Sequence, residues 1–110
     1  MKQAAKLDRT LAALAEPNRR RVVEVLRDRP HTAGDLAVQV GISPAALSRH
    51  LKTLKAAGLV EETHPDYDAR VRVYQLSPAP MADLKDWLAK TEALWARQLA
   101  AFKAHVEGRR

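Results

Sequence analysis

The residues between Gly41 and Gly58 can fold in few ways. Ser43 suits a helix N-cap, and Pro44 suits the first helical position, where the missing N–H had no intrahelical partner anyway. Leu47, Leu51 and Leu54 then recur at helical spacing. Gly58 supplies the left-handed residue that stops the helix. The spacing predicts a helix over 44–57. Before it, Thr32 and Asp35 form a capping box for a shorter helix over 33–40, which Gly41 breaks. Ile42 and Leu47 are placed as a hydrophobic staple that sets the turn angle. Two short helices joined by a tight turn make a helix–turn–helix.

The flanks complete a winged domain. Residues 3–14 read as a helix with Leu7, Leu11 and Leu14 on one stripe, and a second helix runs from Pro17 to about Asp28 with Val22, Val25 and Leu26 inward. Pro30 ends it. Two short strands are expected near 59–64 and 70–76, with Pro65-Asp66-Tyr67-Asp68 as the turn and Val71, Val73 and Tyr74 as typical strand residues. This hairpin is the wing. Ser77-Pro78-Ala79-Pro80 resets the chain, and a long helix covers about 80–107. Met81, Leu84, Leu88, Thr91, Trp95, Leu99, Phe102 and Val106 lie on one seam of it. At 1.5 Å per residue it spans about 40 Å, more than a small domain can cover.

The expected fold class is therefore mainly α with a small β-hairpin. Residues 1–110 form a single domain: helix–turn–helix 32–58, wing 59–76, dimerisation helix 80–107. The first and last helices are expected to pair two copies through Leu7, Leu11, Leu14, Leu84, Leu88, Trp95, Leu99 and Phe102.

Charge narrows the partner. The net charge is +6, and no acid occurs between Asp35 and Glu61, where Arg49, Lys52 and Lys55 fall. A basic balance in this arrangement favours double-stranded DNA. With Leu47, Leu51 and Leu54 inward, helical geometry aims Ala45, Ser48, Arg49 and Lys52 outward, flanked by Ala46, His50 and Thr53. Arg49 could grip a guanine edge bidentately, worth roughly 1–3 kcal/mol of discrimination. Lys52, Lys55, Ser43 and Ser48 suit phosphate. Arg70 and Arg72 alternate on one face of the second wing strand and could reach the backbone or minor groove, although Asp66 and Asp68 at the tip would repel phosphate. Arg19, Arg20 and Arg21 oppose the dipole at the start of their helix, so pairing with Glu16 and Glu24 is expected.

Other classes lack support. There is no cysteine, which removes disulfides and thiolate metal sites. His31, His50, His64 and His105 do not pair with one another at helical spacing. His64 with Asp66 is a weak loop pair, and His105 with Glu107 would need a partner chain. No metal and no cofactor are expected. There is no P-loop or glycine-rich nucleotide fingerprint, and no enzyme is expected. No signal-peptide core and no membrane-spanning apolar run occur, and the mixed charges of the last helix are unlike a basic membrane binder. The expected location is cytoplasmic, with no membrane partner.

The chain resembles the ArsR-type winged helix–turn–helix repressors over nearly its whole length. LAALAEPNRRRVVEVL at 11–26 is similar to the family's entry helix. TAGDLAVQVGISPAALSRHLKTLKAAGLV at 32–60 is similar to its helix–turn–helix, with Ser43, Ser48, His50, Leu51 and Ala57-Gly58-Leu59-Val60 on motif positions. VRVYQL at 71–76 is similar to the second wing strand. DWLAKTEALWARQLAAF at 86–102 is similar to a subgroup often encoded beside a START-type domain gene. The resemblance implies a homodimer held by the first and last helices and autoregulatory control of transcription. Three departures matter. Val38-Gln39-Val40 stands where metal-sensing members carry thiolates, the last-helix metal pattern is missing, and Pro44 occupies a position where relatives often have a polar base reader. A winged-helix protein-interaction module, or a repressor gated by a metal or small molecule, are the alternatives. No residue names an effector.

Overall fold

The computed structural model describes residues 2–68 and 70–108. Among these residues, five helices and three short strands follow in the order α1 (Lys2–Leu14), α2 (Pro17–Leu26), β1 (His31–Thr32), α3 (Ala33–Val40), α4 (Pro44–Ala56), β2 (Val60–Thr63), β3 (Val73–Leu76) and α5 (Pro78–Gly108).

The helix–turn–helix is set by its caps. Thr32 Oγ1 accepts from the Asp35 N–H at 3.2 Å, and Ser43 Oγ accepts from the Ala46 N–H at 3.1 Å. Each removes one orphan donor at a helix start. Gly41 and Gly58 both adopt left-handed φ, 78° and 76°. Past each, the next amide reaches back over the helix end: Ile42 N–H to Ala37 O at 3.2 Å and Leu59 N–H to Leu54 O at 3.0 Å. The capping box is only half made. The Asp35 carboxylate turns to His31 Nδ1 and Gln39 Nε2 instead of returning to Thr32.

The core lies between α2, α3, α4 and the sheet. Val22, Leu36, Leu47, Leu54 and Leu59 are its largest fully buried side chains, with Val23, Leu26, Val40, Leu51, Val60 and Tyr74 around them. Ile42 is partly buried against this cluster, which contains Leu47.

Several sequence expectations are corrected. The sheet has three strands, in the order β1-β3-β2, all antiparallel. The unexpected strand is His31–Thr32, paired with Tyr74 and Val73. The second wing strand begins at Val73, because Asp68 takes the Arg70 and Val71 amides into a turn. Thr10 and Ala13 of α1, which the sequence does not single out, are buried within the chain, while the stripe expected to pair two copies is exposed at Leu11 and half-buried at Leu7 and Leu14. The second helix ends at Leu26, short of Asp28. The last helix starts at Pro78 and absorbs both prolines into its first turn, where missing N–H groups leave no bond unmade.

α5 has no buried residue. Its first half packs on α1 around Ala4, Leu7, Asp83 and Trp87. The 31-residue helix is about 46 Å long at 1.5 Å per residue, and it dominates a molecule measuring 70 × 30 × 21 Å. No helix among the described residues is long and apolar enough to cross a membrane.

Candidate nucleic-acid interface

α4 has four distinct sides. Leu47, Leu51 and Leu54 fasten it to the core. Opposite them, Ala45, Ser48, Arg49 and Lys52 are exposed. Among the described residues, no hydrogen bond or ion pair engages the side chains of Ser48, Arg49 or Lys52, so their donors are free for another molecule. The long stems of Arg49 and Lys52 stand on a helix whose register cannot slip, because three buried leucines would leave the core together.

The wing side of α4 is different. Glu62 on β2 accepts from Lys55 Nζ at 2.6 Å through Oε2, and from Arg72 Nη1 at 2.6 Å and the Tyr74 hydroxyl at 3.2 Å through Oε1. The two cations hold the Glu62 carboxyl down to about 2. Reciprocally, Glu62 raises Arg72, while burial first and Glu62 second raise Tyr74. Arg72 also lines a cleft of about 290 Å³ with Ala33, Gly34, Pro44 and Ser48. It therefore sits beside the starts of α3 and α4. Arg70 lies in the turn, its Nε 3.2 Å from Asp68 Oδ1.

The fourth side faces the α1–α2 corner. His50 is half-buried there, its Nδ1 3.5 Å from Arg19 Nη1 and 3.7 Å from Glu16 Oε2. Ala46 is half-buried, and Thr53 bonds back to Arg49 O at 3.3 Å. Glu16 is the N-cap of α2, accepting from the Arg19 N–H at 2.9 Å. The expected pairing of the arginine run with Glu16 and Glu24 is not what forms. Arg19 Nε donates to Ala13 O at 2.7 Å, and Arg20 Nη1 donates to Leu14 O at 2.8 Å and Ala15 O at 3.0 Å. Cations at the end of α1 meet unpaired carbonyls and the negative end of that helix's dipole. The α1–α2 corner explains this arrangement, and neighbours along one helix do not.

Glu62 is absent from the sequence expectations, and Glu16 serves the Arg19 backbone N–H rather than the arginine side chains expected for it. Glu62 and Glu16 bracket α4 from its two flanks. Asp35 is a third tie: the His31 ring and the Gln39 amide hold its carboxyl below the ordinary range, linking β1 to α3. The signal for Glu62 was the strand register, which sets it opposite Tyr74 and diagonal to Arg72. Among the described residues no three His, Asp or Glu side chains gather where a metal ion could be held.

Of the expected contact residues, Ser43, Ala45, Ser48, Arg49 and Lys52 thus share one open surface, with the Ser43 hydroxyl engaged in the cap. Lys55 and Arg72 are tied to Glu62, His50 to the corner, and Arg70 to its own turn. Of the residues expected to pair two copies, Leu88, Trp95, Leu99, Phe102 and Leu11 are exposed, and Leu7, Leu14 and Leu84 are half-buried.

Comparison with known proteins agrees with this architecture. A family model described as a helix-turn-helix domain matches residues 14–63. The HTH-type transcriptional regulator Rv2034 of Mycobacterium tuberculosis is 39% identical over 100 residues, covering 91% of this chain and 88% of that protein. The transcriptional repressor SdpR of Bacillus subtilis is 27% identical over 82 residues, covering 74% of this chain and 88% of its own. Among solved structures, an ArsR-like transcriptional regulator from Rhodococcus sp. RHA1 superposes with a TM-score of 0.77 at 30% identity, covering 94% of each chain.

Proposed function

The chain belongs to the ArsR-type winged helix–turn–helix transcriptional regulators, and from that premise we propose that it is a dimeric repressor of a pseudo-palindromic operator. Two copies of α4 enter successive major grooves about one helical turn apart. Bound near a promoter, the dimer blocks polymerase, its own promoter included. A similar protein, SdpR, is named a transcriptional repressor, which supports the direction of control.

The observation that carries this reading is the acid-free outer face of α4, where Ser48, Arg49 and Lys52 stand exposed with no side-chain partner among the described residues. Arg49 reads a base edge, and Lys52 with Ser48 takes phosphate. The partner copy is held by α1 and the apolar seam of α5, exposed at Leu88, Trp95, Leu99 and Phe102.

The test is a salt titration of DNA binding, read by fluorescence anisotropy on duplexes selected from a random pool. With about 6–10 phosphate contacts per dimer, affinity should fall about 10³–10⁵-fold between 50 and 200 mM salt. Arg49→Ala should relax specificity at one position, whereas Lys52→Ala should weaken selected and random duplexes alike. A flat salt response, or equal losses for both variants on both duplexes, refutes the assigned roles.

A further inference from the structure

Strand β2 sends alternate side chains to opposite sides. Glu61 accepts from Gln75 at 3.1 Å on one side. Glu62 points to the other, towards α4, into a neighbourhood of cations. Both of its oxygens are taken, one by Lys55 Nζ and one by Arg72 Nη1, each at 2.6 Å. The Glu62 side chain is largely covered, while Lys55 and Arg72 remain open to solvent.

These two cations border the outer face of α4. Lys55 follows Lys52 by one helical turn, and Arg72 lines the cleft that contains Gly34, Pro44 and Ser48. A carboxylate oxygen and a phosphate oxygen are interchangeable partners for an ammonium or guanidinium group. Each N–H that Glu62 holds is thus one turned away from the DNA backbone, and its charge offsets theirs.

We infer that Glu62 is a built-in substitute for DNA phosphate: it keeps Lys55 and Arg72 off the backbone and so limits the sequence-independent part of the protein's affinity for DNA. The inference rests on the DNA-binding reading above and assigns a role to a residue of the same surface. Phosphate contacts carry no sequence information, so the restraint acts equally on every duplex. A regulator held back in this way resides less on bulk DNA, where competing sites far outnumber operators. The same geometry removes Lys55 and Arg72 from the set of residues expected to touch DNA.

Glu62→Gln tests this directly. The amide keeps the shape and removes the charge that holds the cations. Two freed cations per protomer, at a slope of about 0.9 per phosphate, should give each protomer about tenfold more affinity loss between 50 and 200 mM salt than wild type shows. Binding at 50 mM salt should tighten on selected and random duplexes by the same factor. An unchanged slope, or weaker binding by a variant whose melting curve matches wild type, overturns the inference and makes Glu62 only a brace for the wing.

A second comparison does not depend on that variant folding. In wild-type background, Arg72→Gln and Lys55→Gln should leave the slope within a few tenths, whereas Lys52→Gln should lower it by about 0.9 per protomer, or about 1.8 for the dimer. A slope lowered by about 0.9 per protomer in Arg72→Gln as well overturns the inference while leaving the DNA reading intact. Wild-type protein that binds no duplex, selected or random, overturns both.

Discussion

Helices α4 and α5 carry apolar stripes of the same periodicity, yet they meet opposite environments. In α4 the stripe is sealed: Leu47 is 2% exposed, Leu51 4% and Leu54 0%. In α5 the corresponding positions are wet: Trp95 is 60% exposed, Leu99 61% and Phe102 67%. Burying one such side chain is worth roughly 1.5–3 kcal/mol. α4 has realised that gain within its own chain. α5 has left it available, in a contiguous row rather than as scattered residues. The difference shows that periodicity selects the face a helix will bury, while the supply of neighbours decides whether that face is covered. α4 is packed by α2, α3 and the sheet, whereas α5 packs chiefly on α1 and its far half leaves Trp95, Leu99, Phe102 and Val106 exposed.

The contrast can be broken most severely at Leu54. Leu54→Ala leaves a cavity in the core cluster that also holds Val22, Leu36 and Leu59, and should destabilise the fold by about 2–5 kcal/mol. Denaturant unfolding should report this loss at any protein concentration. At the other stripe, Phe102→Ala should leave the core intact and act on association. A central interface aromatic costs about 2 kcal/mol or more when truncated, roughly 30-fold in the association constant. Sedimentation equilibrium should show that shift, and the melting temperature should depend on concentration. A Phe102→Ala protein that associates as wild type does would remove the partner copy from α5.

The smallest expected effect concerns how the wing is held to α4. The folded value of Glu62, about 2, lies below its ordinary 4.5. Its contribution is therefore complete above about pH 4.5 and is lost as pH falls through about 2. The contacts are at the surface, so the loss should be modest. Amide shifts of β2 and β3 should move in that window while those of α4's core side remain. Glu62→Gln should abolish the transition. A wild-type wing that responds only above pH 5 would contradict the Lys55–Glu62–Arg72 arrangement.

Legibility in the sequence followed the range of the forces involved. The ends of α3 and α4 could be read directly because their caps are local: Thr32 serves Asp35, Ser43 serves Ala46, and Gly41 and Gly58 bend the chain within a few residues. Strand His31–Thr32 was invisible because a two-residue strand has no periodicity, and β3 creates it. Helical spacing pairs the arginines of α2 with Glu16 and Glu24, but the corner with α1 offers them carbonyls at the end of that helix. Glu62 does not stand out in the sequence because its partners come from α4, from Arg72 just ahead of β3 and from Tyr74 within it.

Within the candidate interface, the sequence named the outer face of α4 correctly as a face. It overstated the number of cations free on it. Arg49 and Lys52 were separable from Lys55 and Arg72 only once a carboxylate from β2 was seen between the latter two. His50 was likewise drawn to Glu16 and Arg19.

By itself, then, the sequence determined which residues start and stop the helices, which faces are apolar, and that cations without acids line the second helix of the turn. These depend on dihedral preferences and spacing, which act over one or two turns of chain. The tertiary structure alone decided which stripe is covered, which cations are tied to Glu62 and which remain open, because those outcomes depend on groups distant in sequence reaching the same few ångströms of space.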